Sequence, residues 1–162
     1  MARFVIQEHD ATTRHFDFRL EVDGVMRSWA VPKGPSTDPR QKRLAVEVAD
    51  HSLAYADFEG VHADSRGSGA VIVWDDGVYR NLDEQRSMAE ALRAGHAKFW
   101  LDGTKLRGGW TLHRTSPPGA AKPQWLLIKR RDEEVDAGRD PRATGRESVK
   151  SGLTLEQMAE RG

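Results

Sequence analysis

The sequence predicts an all-β protein, a barrel or a sandwich, and three observations carry that expectation. Short stretches alternate apolar and polar residues with the two-residue period of a half-buried strand. Turn signals rich in Gly, Pro and Asp separate these stretches at short intervals. A single helical pattern interrupts the series in the body of the chain.

Residues 15–22 read His-Phe-Asp-Phe-Arg-Leu-Glu-Val, with Phe16, Phe18, Leu20 and Val22 on one face and His15, Asp17, Arg19 and Glu21 on the other. Asp23-Gly24 is a tight hairpin signal, and Val25–Val31 is the returning strand. Pro32 to Pro39 is a loop, after which Leu44, Val46 and Val48 alternate in a strand that runs toward His51. Val71–Trp74, Asp76-Gly77 and Val78–Asn81 read as a second hairpin. Asp83–Ala94 is the helix, with Met88 and Leu92 one turn apart and Gly95 as its stop. Lys98–Leu101, Trp110–Arg114 and Trp125–Arg130 complete the strands; Gly108-Gly109 reads as a turn and Pro117-Pro118-Gly119 as a longer loop. After Arg131 the aliphatic pattern gives way to mixed charge. The folded domain is therefore expected to span residues 1–132, and residues 133–162 to form a flexible polar tail. Thr154 and Gln157 fit a capping box for a short helix within the last ten residues.

The 162 residues include 25 Lys+Arg against 25 Asp+Glu, six His and no Cys. Zero Cys excludes disulfides, zinc–thiolate sites and cysteine nucleophiles, and suits a reducing cytoplasm. Any metal must therefore sit on His and carboxylates. The longest apolar runs, Ala70–Trp74 and Trp125–Ile128, are too short to span a bilayer. Glu8, His9 and Asp10 come too early to leave room for a signal peptide. The charge is unevenly spread: residues 97–131 hold eight basic residues and one acidic, together with Trp100, Trp110 and Trp125. Such a stretch suits a phosphate backbone. The plainer reading is a solvated strand face whose tryptophans are core.

On the polar face of the 15–22 strand, His15 and Asp17 point the same way and can close on one metal ion. His9 lies six residues earlier, near the end of the Phe4–Gln7 segment, and a short connection can return it to the same point. Two imidazoles and a carboxylate suit Mn²⁺, Fe²⁺ or Zn²⁺ and leave coordination positions open. Arg19, next on that face, can hold a phosphate bidentately or pair with Glu21 or Asp17. His51 and Tyr55 can reach the same rim, or serve as a cap and a core aromatic. Lys33 and Arg43 are cations near strand ends, and solvated charge is their plainer reading. His62, His96 and His113 show no partner pattern and read as structural or surface residues.

Several blocks together resemble the 3′-phosphoesterase domain of bacterial DNA ligase D and its stand-alone relatives. They are Phe4-Val5-Ile6-Gln7-Glu8-His9, Arg14 to Glu21, Ser28 to Pro35, Arg43 to Val48 with Asp50-His51, Tyr55 to Gly60, Val73-Trp74-Asp75 and Trp125 to Arg130. The resemblance runs in order over residues 3 to 132. It implies a single closed or nearly closed β-barrel with a crescent groove and one or two short helices. It also implies a Mn²⁺-dependent enzyme, cytoplasmic and nucleoid-associated, that heals 3′ ends of DNA primer-templates. There a terminal ribonucleoside is removed and the 3′-phosphate then hydrolysed, in company with a ligase or polymerase of end joining. Carried over by motif, His9, His15 and Asp17 would be metal ligands, Arg19 and His51 would hold the scissile phosphate, Tyr55 would support the site, and Lys33 and Arg43 would be auxiliary.

Two features depart from that family. An N-terminal arm with further acidic and basic residues precedes the first motif in fused members and is not in this sequence, so ribonucleoside removal is expected to be weaker than phosphate removal. An Ile-Pro-x-Gly-x-Tyr-Gly block is replaced by the shorter Val61-His62-Ala63-Asp64-Ser65-Arg66-Gly67. Two rivals fit the raw pattern: a non-haem Fe(II) oxygenase on a barrel, and a nucleic-acid-binding barrel using only its basic stretch.

Overall fold

Nine strands follow one another in the computed structural model, which describes residues 2–63, 66–117, 119–135 and 145–162. They are β1 (Ala2–Asp10), β2 (Arg14–Val22), β3 (Val25–Val31), β4 (Arg43–His51), β5 (Gly60–Val61), β6 (Ala70–Asn81), β7 (His96–Gly103), β8 (Arg107–Arg114) and β9 (Gln124–Lys129). The helices are α1 (Met88–Ala94) and α2 (Leu155–Arg161), with a 3-10 turn at Leu53–Asp57. The strand order is β1-β2-β3-β4-β9-β8-β7-β6-β5, and β6 also pairs back onto β1. Eight strands thus close an antiparallel barrel, and β5 adds to the free edge of β6. The all-β barrel expected from alternation and resemblance is the observed fold.

Period-two alternation fills the barrel. Phe4 and Ile6 of β1, Phe16, Phe18 and Leu20 of β2, Trp29 of β3, Phe99 of β7, Trp110 of β8 and Trp125 of β9 are fully buried in one cluster. Phe18 and Phe99 stack across it, and Trp29 meets Trp125 edge-on. The other face of β1 and β2 is left to carry polar residues outward.

Three local expectations are corrected. The stretch 71–81 is one continuous strand with no hairpin, because β6 serves β1 over Val71–Tyr79 and β7 over Gly77–Asn81. Gly77 permits a close approach: a Cβ there would lie 2.2 Å from the Asp102 carbonyl oxygen. Gly108 and Gly109 lie inside β8, and the turn falls at residues 104–106 instead. Asp75 fixes it, accepting backbone N–H bonds from Thr104 at 3.0 Å, Lys105 at 2.9 Å and Leu106 at 2.8 Å. Helix α1 begins at Met88, because Asp83 takes the N–H groups of Gln85 and Arg86 in a turn and Ser87 caps the helix with Glu90 in a capping box. Gly95 ends it in the left-handed conformation, as its position predicts.

At the C-terminus Thr154 and Gln157 do form a capping box, and Leu155 and Met158 of α2 bury themselves on Ala70 and Ile72 of β6. Val149 donates its N–H to the Val73 carbonyl at 3.0 Å. Glu156 binds Arg14, whose Nε lies 2.6 Å from the buried Glu8 carboxylate. Of the sequence's expected tail, residues 136–144 lie outside the described residues, as does Pro118 of the expected loop. Among the described residues no helix is long and apolar enough to cross a membrane.

The Asp75 carboxylate is buried and satisfies three N–H groups at once, so Asp75→Ala should lower the unfolding free energy by roughly 3 kcal/mol. Urea unfolding checks this; a loss below about 1 kcal/mol would show that water replaces the carboxylate.

Candidate active site

The antiparallel register of β1 and β2 sets His9 opposite His15, Gln7 opposite Asp17 and Val5 opposite Arg19. Alternation sends the aromatic residues of both strands inward, so this polar set gathers on one outer face. One ligand atom each from His9, His15 and Asp17 lies within 4.8 Å of the others. His15 Nδ1 is 3.1 Å from the Thr13 carbonyl, which directs Nε2 toward Asp17 at 3.1 Å. Two nitrogens and a carboxylate oxygen from adjacent strands, with no thiolate, fit a borderline divalent ion with open positions.

Arg19 adjoins this cluster and is 3% exposed. Its Nε donates to Gln7 Oε1 at 2.6 Å, one terminal nitrogen donates to Ser28 Oγ at 2.8 Å, and the other lies 3.4 Å from Asp17. Of the two pairings open to it, Arg19 takes Asp17; Glu21 instead accepts the Arg3 backbone N–H. The Tyr55 ring lies 5.0 Å from the guanidinium carbon, and His51 stacks on that ring at 4.4 Å. Strand β4 delivers His51 opposite Met26, and the 3-10 turn that follows delivers Tyr55.

Lys33 and Arg43 make none of these contacts among the described residues. They line a separate cleft of about 450 Å³ with Gln41, which accepts from Arg43 at 3.1 Å. Two side chains missed in the sequence belong to the cluster. Gln7 is fully buried, orients Arg19, and donates to the carbonyls of Tyr55 at 2.9 Å and Phe58 at 3.2 Å, tying β1 to the turn. Its place two residues before His9, on the same alternating face, was the available signal. His62 corrects the reading of a residue without partners: its Nε2 lies 2.7 Å from the Tyr55 hydroxyl, and its ring is 4.7 Å from Phe58 and 5.9 Å from His9. No spacing rule connects His62 to His9; only the β5 fold-back does.

The electrostatics separate the two imidazoles of the cluster. Burial lowers the pKa of His9, and the neighbouring His15 lowers it further. Burial also works against protonated His15, but the hydrogen bond and charge of Asp17 outweigh it and hold the pKa above its ordinary value. Asp17 is correspondingly lowered: its burial is more than offset by His15, then by Arg19. Arg19 and His51 are both pushed down by burial, and Arg19 adds to the effect on His51.

Residues 7–114 match the model of the DNA ligase D 3′-phosphoesterase domain. This chain belongs to that family. A multifunctional non-homologous end joining protein LigD of Pseudomonas aeruginosa is 53% identical over 136 residues, which cover 83% of this chain and 16% of that protein. The corresponding protein of Mycobacterium tuberculosis is 41% identical over 136 residues, covering 82% and 17%, and that of Mycolicibacterium smegmatis is 35% identical over 138 residues, covering 82% and 17%. The chain thus spans about one-sixth of the length of the curated relatives it matches. In this 3′-phosphoesterase domain every residue of the His9–His15–Asp17 cluster, with Gln7, Arg19, His51, Tyr55 and His62, falls inside the matched region.

NMR titration of the metal-free protein should give His9 a midpoint below 6.5 and His15 one above it. Asp17→Asn should move the His15 midpoint down, because it removes the negative charge that favours the protonated ring and leaves only the Thr13 carbonyl and a neutral amide as acceptors. A proton on His15 stabilises the metal-free fold fully below the unfolded value and less as pH rises through the folded one. Equal midpoints for the two rings would contradict the pairing of His15 with Asp17.

Proposed function

We propose that this chain is a divalent-metal-dependent phosphoesterase acting on DNA 3′ ends in end-joining repair. The observation that carries this reading is the juxtaposition of the His9–His15–Asp17 donor set with the Arg19 guanidinium, on a chain of the 3′-phosphoesterase family. The substrates of this reading are primer-template 3′ ends bearing a phosphate or a terminal ribonucleotide, and the downstream partner is a DNA ligase that requires a 3′-hydroxyl. His9, His15 and Asp17 would hold the ion, Mn²⁺ by choice, and a bound ion supplies Lewis acidity and charge neutralisation at the phosphoryl group.

The chain's own residues do the rest. A guanidinium has five N–H donors, and Arg19 spends three on Gln7, Ser28 and Asp17. Two donors remain for the phosphoryl oxygens, held by partners that prevent the side chain from swinging away. Burial strengthens that interaction, since little water screens it. His51 is largely neutral when the site is empty, because burial and Arg19 both disfavour its charge. An arriving phosphate acts in the opposite sense and draws a proton onto the ring. His51 then carries the proton needed by the departing oxygen. Tyr55 packs against both His51 and Arg19 and is itself fixed through His62. Lys33 and Arg43, which line a cleft with Gln41, would be auxiliary contacts for the substrate.

Exhaustive chelation should abolish hydrolysis of a 3′-phosphate primer, and Mn²⁺ should restore it; full activity in the chelated enzyme would overturn the assignment. Arg19→Ala should cost roughly a hundredfold in rate, about 3 kcal/mol, with Arg19→Lys giving only partial rescue because a point charge cannot reproduce the fork. Melting temperatures measured alongside separate this from unfolding. Normal turnover by a stable Arg19→Ala protein would remove Arg19 from the site.

A further inference from the structure

The outer face of β6–β9 carries a row of cations that the metal cluster does not use. In the closed strand order β8 stands four strands from β2, and β7 four from β3, so β7 and β8 lie across the barrel from His15, Asp17 and Arg19; Arg80 of β6 lies at the far end of that strand from Val71, the partner of His9. Ala97, Phe99 and Leu101 of β7 point inward, which turns Lys98 and Trp100 outward. Trp110 and Trp125, grouped with Trp100 in the basic stretch of the sequence, are fully buried; Trp100 keeps part of its ring at the surface.

Arg80 of β6 is opposite Trp100 in register, its guanidinium carbon 5.7 Å from the indole centroid. On the other side of Trp100, β8 presents Gly109, and the Arg130 side chain lies over it: a Cβ at Gly109 would be 3.1 Å from Arg130 Cδ. The missing side chain leaves the space that Arg130 occupies. Arg80, Lys98 and Arg130 make no ion pair among the described residues. Asp102 is occupied by Arg107 at 3.7 Å, and Asp132, which shares the space over Gly109 with Arg130, is occupied by Lys129 at 2.7 Å. From β6 to β9 the row crosses three strand spacings, about 14 Å, or about four phosphates of one strand along a duplex axis.

We propose that this face is a second nucleic-acid contact, which holds the phosphate backbone of a DNA segment other than the one whose 3′ end lies at the metal cluster. It rests on the functional reading above only for choosing DNA among polyanions. Asp102 and Asp132 are each taken by a cation outside the row, so charge complementarity favours a phosphate backbone, and the half-exposed indole holds the Arg80 guanidinium beside it.

The test is the charge reversal R80E/K98E/R130E in the full chain, with the neutral R80Q/K98Q/R130Q as the milder variant should the first fail to fold. Anisotropy of a labelled blunt duplex ending in 3′-hydroxyls is followed across a salt series, and turnover is measured on a short 3′-phosphate oligonucleotide. The variant should bind the duplex at least about tenfold more weakly, and its log–log salt slope should fall by up to about 2.7, from three lost phosphate contacts. Turnover of the short substrate should stay within about twofold. Unchanged affinity and slope in the variants would overturn the proposal. So would weakened binding that appears only together with lost turnover, since the cations would then belong to the reaction site. Absence of hydrolysis in the unaltered enzyme would count against the phosphoesterase reading and leave the binding comparison standing.

Discussion

The register between β1 and β2 is the constraint on which the rest of the site depends. A slip by one residue would exchange the two faces of a strand. Phe16, Phe18 and Leu20 would move toward solvent, and His15, Asp17 and Arg19 into an aromatic core. Burial of the aromatic residues therefore fixes the polar face as well. With His9 opposite His15 and Gln7 opposite Asp17, the three side chains that would hold an ion come from two rigid strands. A loop would hold them less precisely.

The supports of that register extend to the end of the chain. Glu8 precedes His9 and Arg14 precedes His15, and the ion pair between them braces the short connection from β1 to β2. Glu156 of α2 joins the same arginine, while Leu155 and Met158 anchor α2 on β6. Burial raises the pKa of Glu8 despite Arg14, a sign that the carboxylate is strongly desolvated. On the other flank, Gln7 joins β1 to the carbonyls of the 3-10 turn, and Ser28 of β3 takes the far end of Arg19. The arginine is thus placed by β1, β2 and β3 together.

Most of the fold was legible because alternation is a local property. Residues 15–22 and 25–31 read directly as a hairpin, since one face is apolar throughout and Asp23-Gly24 supplies the turn. Reading failed where a local signal served a distant purpose. Asp76-Gly77 looks like a turn, yet Gly77 makes room for the Asp102 backbone; Gly108-Gly109 looks like a turn, yet a Cβ at Gly108 would lie 2.8 Å from the buried Lys129 ammonium. His15, Asp17 and Arg19 could be grouped from one strand, whereas His62 joins His9 and Tyr55 only through the path of β5 and was invisible to spacing. The basic, tryptophan-bearing stretch was half legible: the reading of its tryptophans as core holds for Trp110 and Trp125 but not for the half-exposed Trp100, whose partner Arg80 comes from another element.

The central claim is that the β1–β2 register presents two imidazoles and one carboxylate to a single ion. Electron spin-echo envelope modulation of the protein loaded with one equivalent of Mn²⁺ tests this without reference to turnover. Two imidazole nitrogens should couple to the metal, and His9→Ala should leave one. Stoichiometric binding with no nitrogen coupling would place the ion on carboxylates elsewhere and contradict the account.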